Sequence, residues 1–145
     1  MDRSERSINL VSEHLADARK LLQKDGRLSD SEMARRSWQV CLIDDKSIFG
    51  EDARRLARAF RTQGSDSFYV VRVSDLLAPT ESVPAYRFDA SEYGVEEFQG
   101  RAHFDINLSD CLLLNLPITC AVLRPGNVDV TTFAGGVEFI KKIES

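Results

Sequence analysis

The residues best able to do chemistry in this chain are carboxylates, and they fall in two places. Asp44 and Asp45 close the apolar run VCLIDD, while Asp89, Glu92, Glu96 and Glu97 lie in DASEYGVEE. Paired carboxylates can hold a hard dication, which wants several oxygen ligands, or share general acid–base work. Glu92 and Glu96 stand four apart, on one face of a helix. No nucleophile, metal-ligand set or substrate pocket accompanies either group. The plain alternative is that Asp44 and Asp45 end a strand and the glutamates form a solvated face. As a docking surface, the same carboxylates would steer a basic partner.

The other candidates are thinner. His14 and His103 are far apart and make no HxxxH or HExxH pattern, so they suggest no zinc site. A Cys–His dyad from His103 and Cys111 lacks an orienting group or oxyanion donor in view. Cys41, Cys111 and Cys120 form no CxxC, and an odd number inside apolar runs reads as buried, reduced thiols. There is no GxGxxG, Walker loop or GxSxG. Gly135-Gly136 is too short to cradle a phosphate and reads as a strand-to-helix turn. No cofactor is implied. Arg54, Arg55, Arg58 and Arg61 make a basic stripe that would grip phosphate or carboxylates, or simply face water, helped by Glu51 four residues before Arg55.

Composition narrows the classes further. The chain has 145 residues, a net charge of −4 and a pI near 5.2, which argues against a general nucleic-acid binder. No apolar run is long enough to span a membrane. The opening MDRSERSINL lacks the apolar core of a signal peptide, so a cytoplasmic protein is expected.

These residues need elements to hold them. Ile8, Val11, Leu15, Ala18 and Leu22 recur at three- and four-residue steps, predicting one helix over 4–24 stopped by Gly26. Such a stripe packs on its own domain or pairs with a second copy. Ser29 and Glu32 predict a capping box opening a short helix to about Arg36. WQVCLI, residues 38–43, predicts a buried strand. Residues 51–63 predict a helix closed by Gly64, with Ala53, Leu56, Ala57 and Phe60 inward. FYVVRV, 68–73, is the next strand, completing a βαβ unit with a right-handed crossover.

Beyond residue 74 the signal weakens. Pro79 and Pro84 suggest a loop between them, 85–88 a strand, and 90–99 a helix capped by Asp89 or Ser91. Residues 103–106 suggest a further short strand, and 109–115 fit helix or strand equally. The last third reads as a hairpin with Leu123 opposite Val128, Val122 opposite Asp129 and Cys120 opposite Thr131. A helix follows whose face is Val137, Ile140 and Ile143. A hairpin apolar on both sides belongs inside a layered domain. The expectation is a single α/β (α+β) domain over 1–145, with a helical segment 1–36 packed on a mixed sheet of about four to five strands.

Two resemblances enter here. VCLIDDKSIFGEDARRLARAF resembles the opening of a response-regulator receiver domain, whose acidic pair binds magnesium beside a phosphorylated aspartate. The likeness stops there, because no strand-end lysine follows; Lys141 and Lys142 lie on the terminal helix. The C-terminal third, with CAVL, a polar turn, VDVTTFAG and GVEFIKKI, is similar to the ends of small bacterial immunity proteins of polymorphic toxin and contact-dependent inhibition systems. That similarity covers about a fifth of the chain. It implies a cytosolic, non-enzymatic protein that binds and occludes one cognate toxin domain, commonly a nuclease. No contact residue carries over by position. Beside it, the residues themselves suggest Asp44, Asp45, Asp89, Glu92, Glu96 and Glu97 as the surface for a basic toxin. The rivals are a small enzyme using Cys/His or carboxylate chemistry, and a regulatory or adaptor module that dimerises through Ile8, Val11, Leu15 and Leu22.

Overall fold

Residues 111–114 and 120–124 are buried at every position, so the strands they form are covered on both faces. The computed structural model describes residues 7–43, 51–105, 110–124 and 131–144. Their elements run β1 (Ser7–Val11), α1 (Ser12–Lys20), α2 (Asp30–Arg35), β2 (Gln39–Ile43), α3 (Glu51–Arg61), β3 (Ser67–Arg72) and α4 (Val73–Leu77). Then follow β4 (Ser82–Asp89), α5 (Glu92–Asp105), β5 (Cys111–Leu114), β6 (Cys120–Arg124), β7 (Thr131–Gly135) and α6 (Val137–Glu144).

The strands make one sheet in the order β1-β4-β3-β5-β6-β7-β2, with every neighbouring pair antiparallel. Alternation along each strand divides the core in two. One face carries Phe68, Val70, Phe88, Cys111, Leu113, Val122 and Phe133 against α3, α5 and α6. There Phe60, Phe68, Phe88, Phe98 and Phe139 pack ring to ring at 5.2–6.2 Å, each burial contributing roughly 1.5–3 kcal/mol. The other face carries Leu10, Val71, Leu112, Leu114 and Ala121 against α1, α2 and α4. The α+β domain is therefore a sheet between two helical layers. It has seven strands rather than four to five, and no parallel pair among the described residues.

The N-terminal segment differs most from expectation. Instead of one helix over 4–24, residues 7–11 form an edge strand, with Ile8 opposite Ala85 and Leu10 opposite Val83. Two periods coexist in the sequence there, and alternation of Ile8 and Leu10 wins because β4 supplies a ladder. Ser12, at φ 52, breaks strand from helix. Of the expected stripe, Leu15, Ala18 and Leu22 are buried in their own domain, Ile8 is partly buried and Val11 is 47% exposed. Gly26, at φ +88, turns the chain after the helix has already ended, where Gln23 N–H donates to the Arg27 carbonyl at 2.7 Å. Half of the capping box forms. Glu32 N–H donates to Ser29 Oγ at 3.2 Å, while the Glu32 carboxylate accepts from Arg35 and Arg36 instead of turning back.

Residues 39–43 form a strand, but an exposed edge strand rather than a buried one. Together with α3 and β3 they make a crossover that spans β5, β6 and β7. The α3 inward face and the positive-φ turn at Gly64 stand as expected. Strand β4 starts at Ser82, inside the expected loop. Pro84 is accommodated because the strand has β1 alone as neighbour there. Residues 103–105 continue α5 rather than forming a strand, and 111–114 resolve as strand.

The C-terminal hairpin forms with its register moved by four residues. Leu123 opposes Thr132, Val122 opposes Phe133 and Cys120 opposes Gly135. A four-residue slip is two full pleats, so each side chain keeps its face. The expected partners Val128 and Asp129 lie outside the described residues. In α6 the buried face is Phe139, Ile140 and Ile143, with Val137 exposed.

Candidate functional site

The acidic segment sits where β4 hands over to α5, on the Phe-rich side of the sheet. Ser91 caps the helix, its Oγ accepting from Gly94 N–H at 3.0 Å. Val95 and Phe98 anchor the inner face. Gly94 is required by a close approach: a Cβ there would stand 2.0 Å from the Asp89 carbonyl oxygen. Ala90 N–H donates to the Asp66 carbonyl at 2.8 Å, and Arg61 Nε donates to the Ala90 carbonyl at 2.6 Å. The handover is thus fixed from both sides.

On this base Asp89 is exposed and Glu92, Glu96 and Glu97 are half-buried. Arg54 Nε of α3 donates to Glu92 Oε1 at 3.1 Å. The arginine stripe and the acidic segment therefore border each other, and part of the charge that each would offer a partner is spent between them. Two residues of this surface were not singled out from the sequence. Tyr93 is 70% exposed, with Glu96 and Glu97 three and four positions on, hence on its side of the helix. Asp66 is exposed and adjoins Asp89 through the Ser67–Asp89 pairing. The helix was expected, but which of its faces is left in water depends on how α5 packs on the sheet, so the exposure of Tyr93 was not legible.

Asp44 and Asp45 lie outside the described residues, so the surface rests on the α5 group. Among the described residues no group of three His, Cys, Asp or Glu side chains converges to hold a metal ion. No described helix is long and apolar enough to cross a membrane.

Cys111 and Cys120 are buried in the core, whereas Cys41, expected to be buried too, is only partly buried on the edge strand. Burial pushes the Cys111 thiol up to about 12, against the pull of Arg124 and Arg72. These arginines flank Cys111 across the ladder. Burial likewise raises the Cys120 thiol, and raises that of Cys41 with help from Glu144. Since the thiolate is the nucleophile, none of these environments activates one. The side chain of His103 lies outside the described residues. Arg124 is buried with its guanidinium 5.7 Å from the Phe98 ring centre, and burial lowers its pKa from the ordinary arginine value.

A second polar centre is structural. Asn115 is buried in the β5–β6 connection, which contains the cis Leu116–Pro117 bond. Its Oδ1 accepts from Thr119 N–H at 2.8 Å and Cys120 N–H at 3.2 Å, while Nδ2 donates to Ser65 Oγ and Thr119 Oγ1.

No protein-family model, curated protein or solved structure matches this chain.

Proposed function

We propose that this chain is a cytoplasmic, non-enzymatic binding protein of the immunity type, which occludes a basic cognate toxin domain through the outer face of α5. The observation that carries this reading is the exposed Tyr93 ring, with Glu96 and Glu97 three and four positions on along the same side of α5. Tyrosine supplies large contact area at little cost in side-chain entropy, and interface hot spots are rich in it. Surrounding carboxylates speed the encounter with a basic partner and disfavour acidic ones. The overall charge of −4 acts in the same sense. Inhibition of this kind requires a rigid, complementary surface and no chemistry of the chain's own.

The test is recovery of the tagged chain from its native host, with wild type and Tyr93→Ala handled in parallel. A basic protein held at one-to-one stoichiometry by wild type and lost with Tyr93→Ala is the expected result. A partner retained equally by both chains would remove α5 from the interface.

A further inference from the structure

The two helical layers do not cover the sheet equally. On the Phe-rich side α6 packs on both β7 and β2, reaching the edge. On the other side α1 lies over β1 and β4, and α4 over β3 and β4. At the β7–β2 end of that face Ala134 of β7 is buried, and exposure begins at β2. Val40 and Leu42 point to this face, being in register with Ala134 and Thr132, and they are 44% and 65% exposed. Among the described residues β2 has β7 on one side and no strand on the other.

Edge strands are normally blunted by lysine, proline, a bulge or a covering segment. Gln39–Ile43 has no charge and no proline, and it pairs with β7 without a bulge over all five residues. An unpaired ladder selects an extended chain, and the exposed alternate positions select one with apolar side chains on a single face. The strand β2 meets that description itself.

We infer that β2 is a self-association surface, pairing with β2 of a second copy antiparallel about a two-fold axis at Cys41. In that register Val40 faces Leu42 of the second copy, Gln39 faces Ile43, and Cys41 faces its own equivalent. All five residues are paired, and any other register leaves some of them out. The antiparallel alternation continues from one domain into the next, and the contact is isologous, so it closes at two. The uncharged strand opposes no like charges. An interface built on five-residue strands stays below roughly 1,200 Å², in the transient class, so the dimer is reversible and forms with rising concentration. The α5 surface lies on the opposite helical layer and is left free.

Sedimentation velocity on the full chain over a wide concentration range is the test, joined to cross-linking with a short bis-maleimide. The expected result is a monomer–dimer equilibrium that Leu42→Lys weakens by about tenfold or more. Its melting temperature stays unchanged, because Leu42 is exposed. Paired Cβ atoms stand about 5 Å apart across such a ladder, so wild type cross-links through Cys41 and Cys41→Ser does not. A chain monomeric throughout, as expected if a foreign strand occupies this edge, overturns the inference. So does a dimer indifferent to Leu42→Lys, or one that does not cross-link through Cys41.

Discussion

Arg54 of α3 and Glu92 of α5 meet at 3.1 Å although they stand 38 residues apart in the chain. The basic stripe and the acidic segment are thereby neighbours, and the contact tempers the charge that each displays. Both side chains are about half exposed, so the pair contributes less than about 1 kcal/mol. Arg54→Ala should move the melting temperature by no more than about 4 °C. It should also free Glu92 and speed association with a basic partner at low salt. Stopped-flow association rates beside thermal melts check both halves.

Gly94 is held by geometry rather than by helix propensity. With a Cβ 2.0 Å from the Asp89 carbonyl, Gly94→Ala must push α5 off the end of β4. Alanine is ordinarily the better helix former, so a propensity argument predicts a gain. The account predicts a loss of about 2 kcal/mol or more, as for other overpacked sites. Urea unfolding decides between the two signs.

Asn115→Ala removes the acceptor for two backbone N–H groups, one belonging to the buried Cys120. Leaving a buried donor unsatisfied costs about 1–3 kcal/mol, which for a domain of this size lowers the melting temperature by roughly 5 °C or more. Asn115→Asp keeps the acceptor and should cost less at neutral pH. Calorimetry of the two variants checks that order.

What could be read from the chain depended on how local the controlling contact was. The inward face of α3, the turn at Gly64 and a cap at Asp89 or Ser91 rest on local contacts and were legible, the structure choosing Ser91. The status of Gln39–Ile43 was not, because an apolar strand reads alike at the edge and in the middle of a sheet. Residues 7–11 carry both helical and alternating spacing, and only the presence of β4 decides between them. The hairpin register could slip by four because every even shift preserves the faces. At the candidate surface the carboxylates were visible as a charge cluster. The exposure of Tyr93, and the pairing of Glu92 with Arg54, depend on how α3 and α5 pack.

Acid should weaken the α1–α2 corner in a defined window. Hydrogen bonding from Arg35, and then from Arg36, holds the Glu32 carboxyl at about 2, below its ordinary 4.5, against a desolvation that raises it. Arg36 also reaches Asp17 at 2.5 Å, which ties α2 to α1. The unfolded chain takes up the Glu32 proton more readily than the folded one. The contribution to stability is therefore complete above about pH 4.5 and is lost as pH falls toward 2. Glu32→Gln should flatten that limb of the stability–pH curve, read by denaturant unfolding at successive pH values.

The most direct test of the partner-binding account is the association rate with the recovered partner at low and physiological salt, for wild type and Glu96→Lys. Glu96 is half-exposed on α5, so the charge can be reversed without touching the core. The account predicts a rate about tenfold slower for Glu96→Lys at low salt, converging with wild type as salt rises. Equal rates at low salt, with the partner still bound, would contradict it.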